Sequence, residues 1–422
     1  GRIVLYSLIR NIILITSCHI LFHVKYENLE ILDKYNKCLI CPNHSRIFDP
    51  AFLYPKVENM YSVAKSELFK NKLIAKFLTY HNAFPIERNK TDIKGAKSIL
   101  EQLENQEKIR LLIFPEGGIF KENYKYANQG SLDTYKIFIE KGFNLLDKNG
   151  NLNFIVPISI TSSKSNIELR KMILDNCEFV KVSSYSDAPS RIFYNADQNV
   201  SIINFMKTNT KTKILLTTKI NKKLSSQSID SVIKNMSFVN SLDFVQPEAF
   251  CKIGLPIEKS IMQKLYSQKQ TIKDLMGGKQ KLYYRTTGGR YYKIYTSYST
   301  KSSKEKSFEI YNSKSIVSIL SSTLFYWFRN SYSNNRDNYV SEFERFPIPN
   351  FSKEIINKLE KLGKEYETDI EKNHDYSNGV KTYKIRKSKH IIDKIDRLIC
   401  PLYGLTEEEM EFIIGYELEF RV

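Results

Sequence analysis

The chain has 422 residues, of which 42% are apolar and 13% aromatic, so it is long enough to form more than one domain with a real core. Its 27 Tyr and 25 Phe exclude a chain too polar to fold. A formal charge of +18 favours a phosphate-bearing partner, either nucleic acid or an anionic membrane face, without choosing between them.

Residues 1–22, GRIVLYSLIRNIILITSCHILF, are apolar but interrupted by Arg2 and Arg10. The clean run Ile12–Phe22 is shorter than the roughly 20 apolar residues a bilayer crossing needs. It reads as a helix lying against either the domain core or a membrane surface. NKCLIC (36–41) is a buried strand ending at Pro42. Its Cys38 and Cys41 lack a second pair at zinc spacing and read as small strand residues. The other cysteines, at 18, 177, 251 and 400, are scattered as reduced thiols would be, which indicates a cytoplasmic chain, with peripheral contact at the inner membrane face left open. No metal site is expected.

Further strands are expected at NMYSVAK (59–65), at the start of NAFPIERN (82–89) and at IRLLIF (109–114). Between them LFKNKLIAKFL (68–78) and DIKGAKSILEQLENQ (92–106) carry helical spacing. Such alternation predicts a parallel sheet covered by helices. Beyond it, 131–150 reads as a helix stopping near Gly150, NFIVPISI (153–160) as a strand, and 166–176 as a helix. CEFVKVSSY (177–185) and NVSIINFMK (199–207) read as strands. After about residue 210, short strands and Tyr-rich loops are expected, then one buried helix over 314–330 and a charged helix from Lys353 to about Lys372.

CPNHSRIFDP places His44 and Asp49 in an H-x4-D spacing after a strand. An attacking hydroxyl needs a base near neutrality, which imidazole supplies, and a carboxylate on the far ring nitrogen fixes its tautomer. AFPIERN, itself a strand running into a loop, and then FPEGG, after a strand, follow in order. This ordered trio, with KSELFKNKLIAKFL between the first two blocks, resembles the 1-acyl-glycerol-3-phosphate (lysophosphatidic acid) acyltransferase family over about residues 1–118. The resemblance implies His44 as general base, Asp49 as its orienting partner, Arg88 on the acceptor phosphate, and Glu116 with Gly117 shaping the acceptor site. It implies a lysophospholipid acceptor, acyl-CoA or acyl carrier protein as co-substrate, and no bound cofactor. The family turn usually continues with Thr and a basic residue, whereas here Gly118, Ile119 and Phe120 follow.

From about Ile119 a second resemblance takes over. GSLDTYKIFIEKGFNLLDKNGNLNFIVPISITSSKS, CEFVKVSSYSDAPSRIFYNADQNVSIINFMK and the later YYRTTGGRYYKIYTSYST and SEFERFPIPN blocks resemble the distal catalytic and target-recognition regions of N6-adenine DNA methyltransferases of restriction–modification systems. That likeness puts Phe193 where an aromatic stacks on a flipped adenine, although Phe193 or Tyr194 as plain core remains an equal reading. Arg285, Arg290 and Tyr291 around Gly288 and Gly289, and Lys384, Arg386 and Lys387 in the basic stretch that also holds Lys381 and Lys389, are the candidate double-stranded DNA contacts. Neither the glycine-rich S-adenosylmethionine loop nor N-P-P-Y occurs, and FPEG stands where N-P-P-Y would. Methyl transfer by this chain alone is therefore not expected.

The expected architecture is α/β: a parallel or mixed sheet flanked by helices, followed by a mixed α+β recognition-type domain. The segments are an acyltransferase-like 1–118, a methyltransferase-like 119–208 continuing the sheet, and a recognition-like 209–422 with a helical C-terminus. The expected function is acyl transfer to a lysophospholipid fused to a DNA-recognition-like region. The alternatives are a DNA-binding fragment of a methyltransferase or restriction enzyme, or an inactive chimera.

Overall fold

The computed structural model describes residues 26, 29–34, 36–40, 53, 56–86, 101, 104, 106–112, 124–130, 133–191, 197–289, 291–377 and 380–421. The chain divides into two compact units, Gly1–Asn123 and Tyr124–Val422. It is an α/β protein, with parallel and mixed sheets flanked by helices.

Apolar runs too short for helices build the first unit's sheet. Its strands are β1 (Lys37–Ile40), β2 (Met60–Lys65), β3 (Ala83–Ile86) and β4 (Ile109–Leu112), in the order β1-β4-β2-β3. Every pairing is parallel, so all four strands leave the sheet at the same edge. Ile40 and Ser62 both lie opposite Leu112, and Lys65 lies opposite Ile86. Parallel neighbours need crossovers, and α1 (Lys72–Tyr80) is the one from β2 to β3. Asn71 starts it, its side-chain oxygen accepting from the Leu73 and Ile74 N–H groups at 3.0 and 3.3 Å. Val57, Met60 and Leu112 form a small core with Leu29, Leu32, Ile40 and Leu53. Arg110, buried on β4, donates to the Leu32 carbonyl at 2.5 Å. The helix expected over 92–106 lies outside the described residues except Glu101 and Glu104, which are helical.

In the second unit, α2 (Thr134–Leu145) packs on a sheet of β5 (Asn151–Pro157), β6 (Cys177–Tyr185), β7 (Val200–Lys207), β8 (Ile214–Asn221) and β9 (Val239–Asn240). α3 (Ile167–Asn176) packs on it too. The order is β5-β7-β6-β8-β9, with only β6 and β8 parallel. Ile139, Phe143, Val156, Leu169, Ile173, Val180, Ile203 and Phe205 fill the space between helices and sheet. The segment entering α2 is held by that helix's own polar residues. Glu140, buried, accepts from the backbone N–H groups of Lys125, Tyr126 and Ala127 at 2.8, 3.0 and 2.6 Å. Lys136 donates to the Gln129 and Ser165 carbonyls at 2.5 and 2.9 Å. The expected strand over 153–160 is β5, which pairs along its length with β7. It belongs to this second sheet rather than continuing the first. The helix expected to stop near Gly150 ends at Leu145, where Leu146 turns extended and a tight turn runs from Asp147 to Gly150.

A second, larger core follows. It gathers α4 (Pro256–Tyr266), β10 (Met276–Arg285), β11 (Tyr295–Thr296), β12 (Glu305–Ile310), α5 (Ser313–Ser321) and α6 (Thr323–Tyr332). After these come α7 (Lys353–Lys372), the hairpin β13 (His374–Ser377) and β14 (Val380–Tyr383), α8 (Lys389–Ile399) and α9 (Glu407–Ile414). β8 and α4 are longer than the short strands and loops expected beyond residue 210. The single helix expected over 314–330 is broken at Ser322, which is extended (φ −67°, ψ 157°) and caps α6 by accepting from Phe325 N–H at 3.0 Å. Asp396 of α8 accepts from Thr323 and Leu324 N–H at 3.0 and 3.1 Å, satisfying two more donors at that buried helix start. α5 and α7 pack so closely that a Cβ at Gly363 would lie 2.2 Å from the Lys314 carbonyl oxygen.

Candidate functional site

Two regions of the chain carry site-forming chemistry, one in each unit. In the first unit the described strands set the frame. β1 ends at Ile40, β3 at Ile86 and β4 at Leu112, all at the carboxyl edge of one parallel sheet. His44, Arg88 and Glu116 stand four, two and four residues after those ends in the sequence. The carboxyl edge is where open α/β sheets collect binding groups from separate loops. His44, Asp49, Arg88, Glu116 and Gly117 themselves lie outside the described residues. Cys38 is a free, half-buried thiol within β1, and Cys41 lies outside the described residues.

In the second unit a cleft of about 470 Å³ opens beside the glycine turn that follows β10. Of the residues expected to touch DNA, it brings together Arg285, Tyr291, Lys384 and Arg386. These come from the end of β10, the loop before β11, and the turn after β14. Lys387 is exposed on the same short turn as Arg386. Phe193 and Arg290 lie outside the described residues.

The turn itself has little freedom. Gly288 and Gly289 have φ of +82° and +58°, and a Cβ on Gly289 would stand 2.1 Å from the Tyr292 carbonyl oxygen. Only glycine fits there. Lys293, buried, donates to the carbonyls of Gly288 at 2.8 Å and Arg336 at 2.7 Å, fixing the turn from below.

Arg285 joins the turn to the hairpin. It donates to the Lys381 carbonyl at 3.0 Å, and its guanidinium lies over the Tyr383 ring at 5.2 Å. The hairpin is in turn held by Glu371 at the end of α7. That carboxylate accepts from Lys381 at 2.6 Å, Tyr298 at 2.7 Å and Tyr383 at 2.5 Å. Desolvation pushes its pKa up, but these three donors outweigh it and hold it down at about 2. The same contact raises both tyrosines, after the larger effect of burial.

The basic stretch therefore splits in two. Lys381 is paired with Glu371, Lys384 with Asp375 at 2.5 Å, and Lys389 with Asp393. Arg386 and Lys387 stay exposed. The cleft is also lined by residues not singled out from the sequence, among them Tyr292, Tyr383, Phe420 and Arg421. The fold brings the C-terminal pair there. Arg421 sits between the Tyr292 and Tyr326 rings at 4.5 and 4.4 Å, and Glu417, just upstream, accepts from Tyr326 at 2.8 Å and from buried Lys222.

Residues 23–160 match the acyltransferase family. That stretch contains all three motif blocks and runs past the end of the first unit into β5. No curated protein sequence matches the chain. Among solved structures the chain is similar to a class I S-adenosylmethionine-dependent methyltransferase from Listeria monocytogenes. The identity is 13%, over 43% of this chain and 64% of that one, with a TM-score of 0.23. It is also similar to the type IIL restriction–modification enzyme MmeI, a structure in complex with DNA. There the identity is 13%, over 70% of this chain and 53% of that one, with a TM-score of 0.39. The chain thus spans less than two thirds of the length of either.

Proposed function

We propose that the first unit transfers an acyl chain from acyl-CoA or acyl carrier protein to the hydroxyl of a lysophospholipid such as 1-acyl-glycerol-3-phosphate. One observation carries this reading: three short blocks of the right chemistry each follow a strand that ends at the same edge of a single parallel sheet. β1 and β4 are hydrogen-bonded neighbours, so the chain departs toward His44 and toward Glu116 from adjacent points, about 5 Å apart. β3 ends three residues further along the strand direction than β4, about 10 Å beyond it, where a cation can reach a phosphate lying away from the reacting hydroxyl.

In this reading His44 takes the proton of the acceptor hydroxyl as its oxygen bonds to the thioester carbonyl carbon. Asp49 holds the imidazole tautomer and steadies the imidazolium. Collapse of the tetrahedral adduct breaks the carbon–sulfur bond, and the departing thiolate takes the proton back from His44. Arg88 pairs with the acceptor phosphate through its fork of donors. Glu116 and Gly117 shape the acceptor pocket. Thiol release from acyl-CoA in the presence of lysophosphatidate tests this, with His44→Ala expected to abolish release without changing the thermal melt. A wild-type chain that releases no thiol, or a His44→Ala chain that still does, overturns it.

A second reading is favoured by the cleft of the second unit, which we infer to be a contact surface for double-stranded DNA. Forked donors, aromatic rings and a fixed glycine turn converge there, with two cations left exposed at the rim. Filter binding of a duplex over a range of salt tests this reading independently of His44.

A further inference from the structure

The crossover helix α1 buries none of its side chains, although it joins two strands of the first sheet. Its sequence, KLIAKFLTY, is nevertheless sharply divided at helical spacing. Leu73, Ile74, Phe77 and Leu78 fall on one side, and Lys72, Lys76 and Thr79 on the other. Phe77 and Leu78, in the second turn, are half-buried. Leu73 and Ile74, in the first turn, are 81% and 41% exposed. A nine-residue helix stabilised by burial would hide those two first.

Position and charge say what meets them. β2 and β3 are parallel, so the helix between them runs back against the strands. It therefore begins at the carboxyl edge of the sheet, where β1, β3 and β4 also end. The exposed apolar pair lies at that edge. Lys72 and Lys76 lie on the opposite face of the same helix and Lys70 just before it, all exposed, against a single acidic side chain, Glu67, between residues 66 and 80. An exposed apolar pair on one face of a short helix whose other face carries lysines matches an anionic phospholipid surface, with the aliphatic side chains entering the acyl region and the long lysine side chains reaching the headgroups.

We propose that the first turn of α1 is a membrane-docking site that sets the carboxyl edge of the first sheet against an anionic bilayer. The site is distinct in sequence from residues 1–22. Its functional meaning, delivery of a lipid acceptor to that edge from the bilayer, rests on the acyltransferase reading, but vesicle binding does not.

Flotation of the full chain with vesicles tests it, using phosphatidylcholine alone and phosphatidylcholine with about one third phosphatidylglycerol. The wild type is expected to float with the mixed vesicles. Leu73→Asp/Ile74→Asp is expected to weaken that binding at least about tenfold. Lys70→Gln/Lys72→Gln/Lys76→Gln is expected to remove the preference for the anionic vesicles. Both variants change exposed side chains, so an unchanged melting temperature serves as the folding control. Absence of flotation by the wild type overturns the proposal. So does flotation that the Leu73→Asp/Ile74→Asp variant retains, since the chain would then bind through another surface, or a change in oligomeric state instead of vesicle binding.

Thiol release with a short-chain, water-soluble lysophosphatidate separates the two readings. If the chain floats through α1 but releases no thiol, the chemistry fails and the docking site stands. If thiol is released while flotation is independent of α1, the reverse holds.

Discussion

Replacing both Arg386 and Lys387 with alanine tests the DNA reading of the second unit most sharply, because the structure separates these two cations from their neighbours. Lys381, Lys384 and Lys389 each have a carboxylate partner, Glu371, Asp375 and Asp393 respectively. A phosphate contact by those lysines would exchange one anion for another and release little. Arg386 lines the cleft and Lys387 is exposed on the same turn, with only a longer-range attraction to Asp375, so both would release condensed counterions on meeting a phosphate. Each full phosphate contact adds about 0.9 to the slope of log affinity against log salt, so the double variant should lower that slope by about 1.8. Between about 50 and 200 mM salt, the wild type should then lose about twelvefold more affinity than the variant. Lys384→Ala, measured beside it, should shift the slope by well under one contact. Fluorescence-anisotropy titration of a labelled duplex at several salt concentrations supplies both slopes. A double variant with the wild-type slope, or a Lys384→Ala variant that loses as much, would refute the assignment of the rim as the phosphate contact.

Other outcomes follow from single residues. Gly289→Ala places a Cβ within 2.1 Å of the Tyr292 carbonyl at φ +58°, so the turn must move. A loss of about 1–2 kcal/mol in a denaturant melt is expected, together with weaker duplex binding. Glu371→Gln removes the anion that Lys381, Tyr298 and Tyr383 share. Its folded pKa of about 2 lies below the ordinary value, so its stabilisation is present above about pH 4.5 and is lost as pH falls through 2. With the carboxylate 32% exposed, solvent screening leaves about 1–2 kcal/mol, and the variant should lack that acid slope in melts between pH 2 and 5. Asp396 behaves oppositely: burial raises its pKa to about 6, so its contribution is fully present below about pH 4 and is lost as pH rises through 6. Urea midpoints taken from pH 4 to 7 should show a decline worth about 3 kcal/mol that Asp396→Asn removes.

Elements whose side chains answer to a local period were legible before any coordinates. CEFVKVSSY and the helix from Lys353 to Lys372 have the expected bounds because alternation in the first and a charged–apolar stripe in the second are written within ten or twenty residues. The break between α5 and α6 was not legible. Every residue from Ser313 to Tyr332 is helix-compatible, and part of the cause sits on Asp396, more than 70 residues away, which supplies the acceptors that a fresh helix start needs. The cleft beside the glycine turn was half legible for the same reason. Arg285, Tyr291, Lys384 and Arg386 stand in turn-rich basic stretches that can be read directly, whereas Arg421 enters from the far end of the chain through its place over the Tyr326 and Tyr292 rings, and Phe420 through Lys222, which lies over its ring. In the first unit the strands were legible, but His44 and Asp49 lie outside the described residues, and a period does not specify whether an imidazole and a carboxylate meet across a turn.

The acyltransferase match crosses the boundary between the two units, yet the strand at its end joins only one sheet. The acyltransferase match runs to residue 160 and so includes FIVP, an apolar strand that suits either architecture. What decides its place is what it can pair with and bury. β5 pairs antiparallel with β7 from Asn151 opposite Met206 to Pro157 opposite Val200, and Val156 and Phe154 pack into the core built by α2 and α3. The commitment begins earlier, at Lys125–Ala127, whose N–H groups are taken by Glu140 of α2. Leaving that buried carboxylate without its three donors would cost about 3–5 kcal/mol, more than the pairing of one short strand could return elsewhere. The polar clamp on α2 therefore draws 124–130 and 133–160 into the second unit, and on the proposed reading the acyl transfer rests on the four parallel strands that precede them. On this argument Glu140→Ala should loosen the second unit while leaving thiol release by the first intact, and a loss of both together would show that the two units do not stand apart.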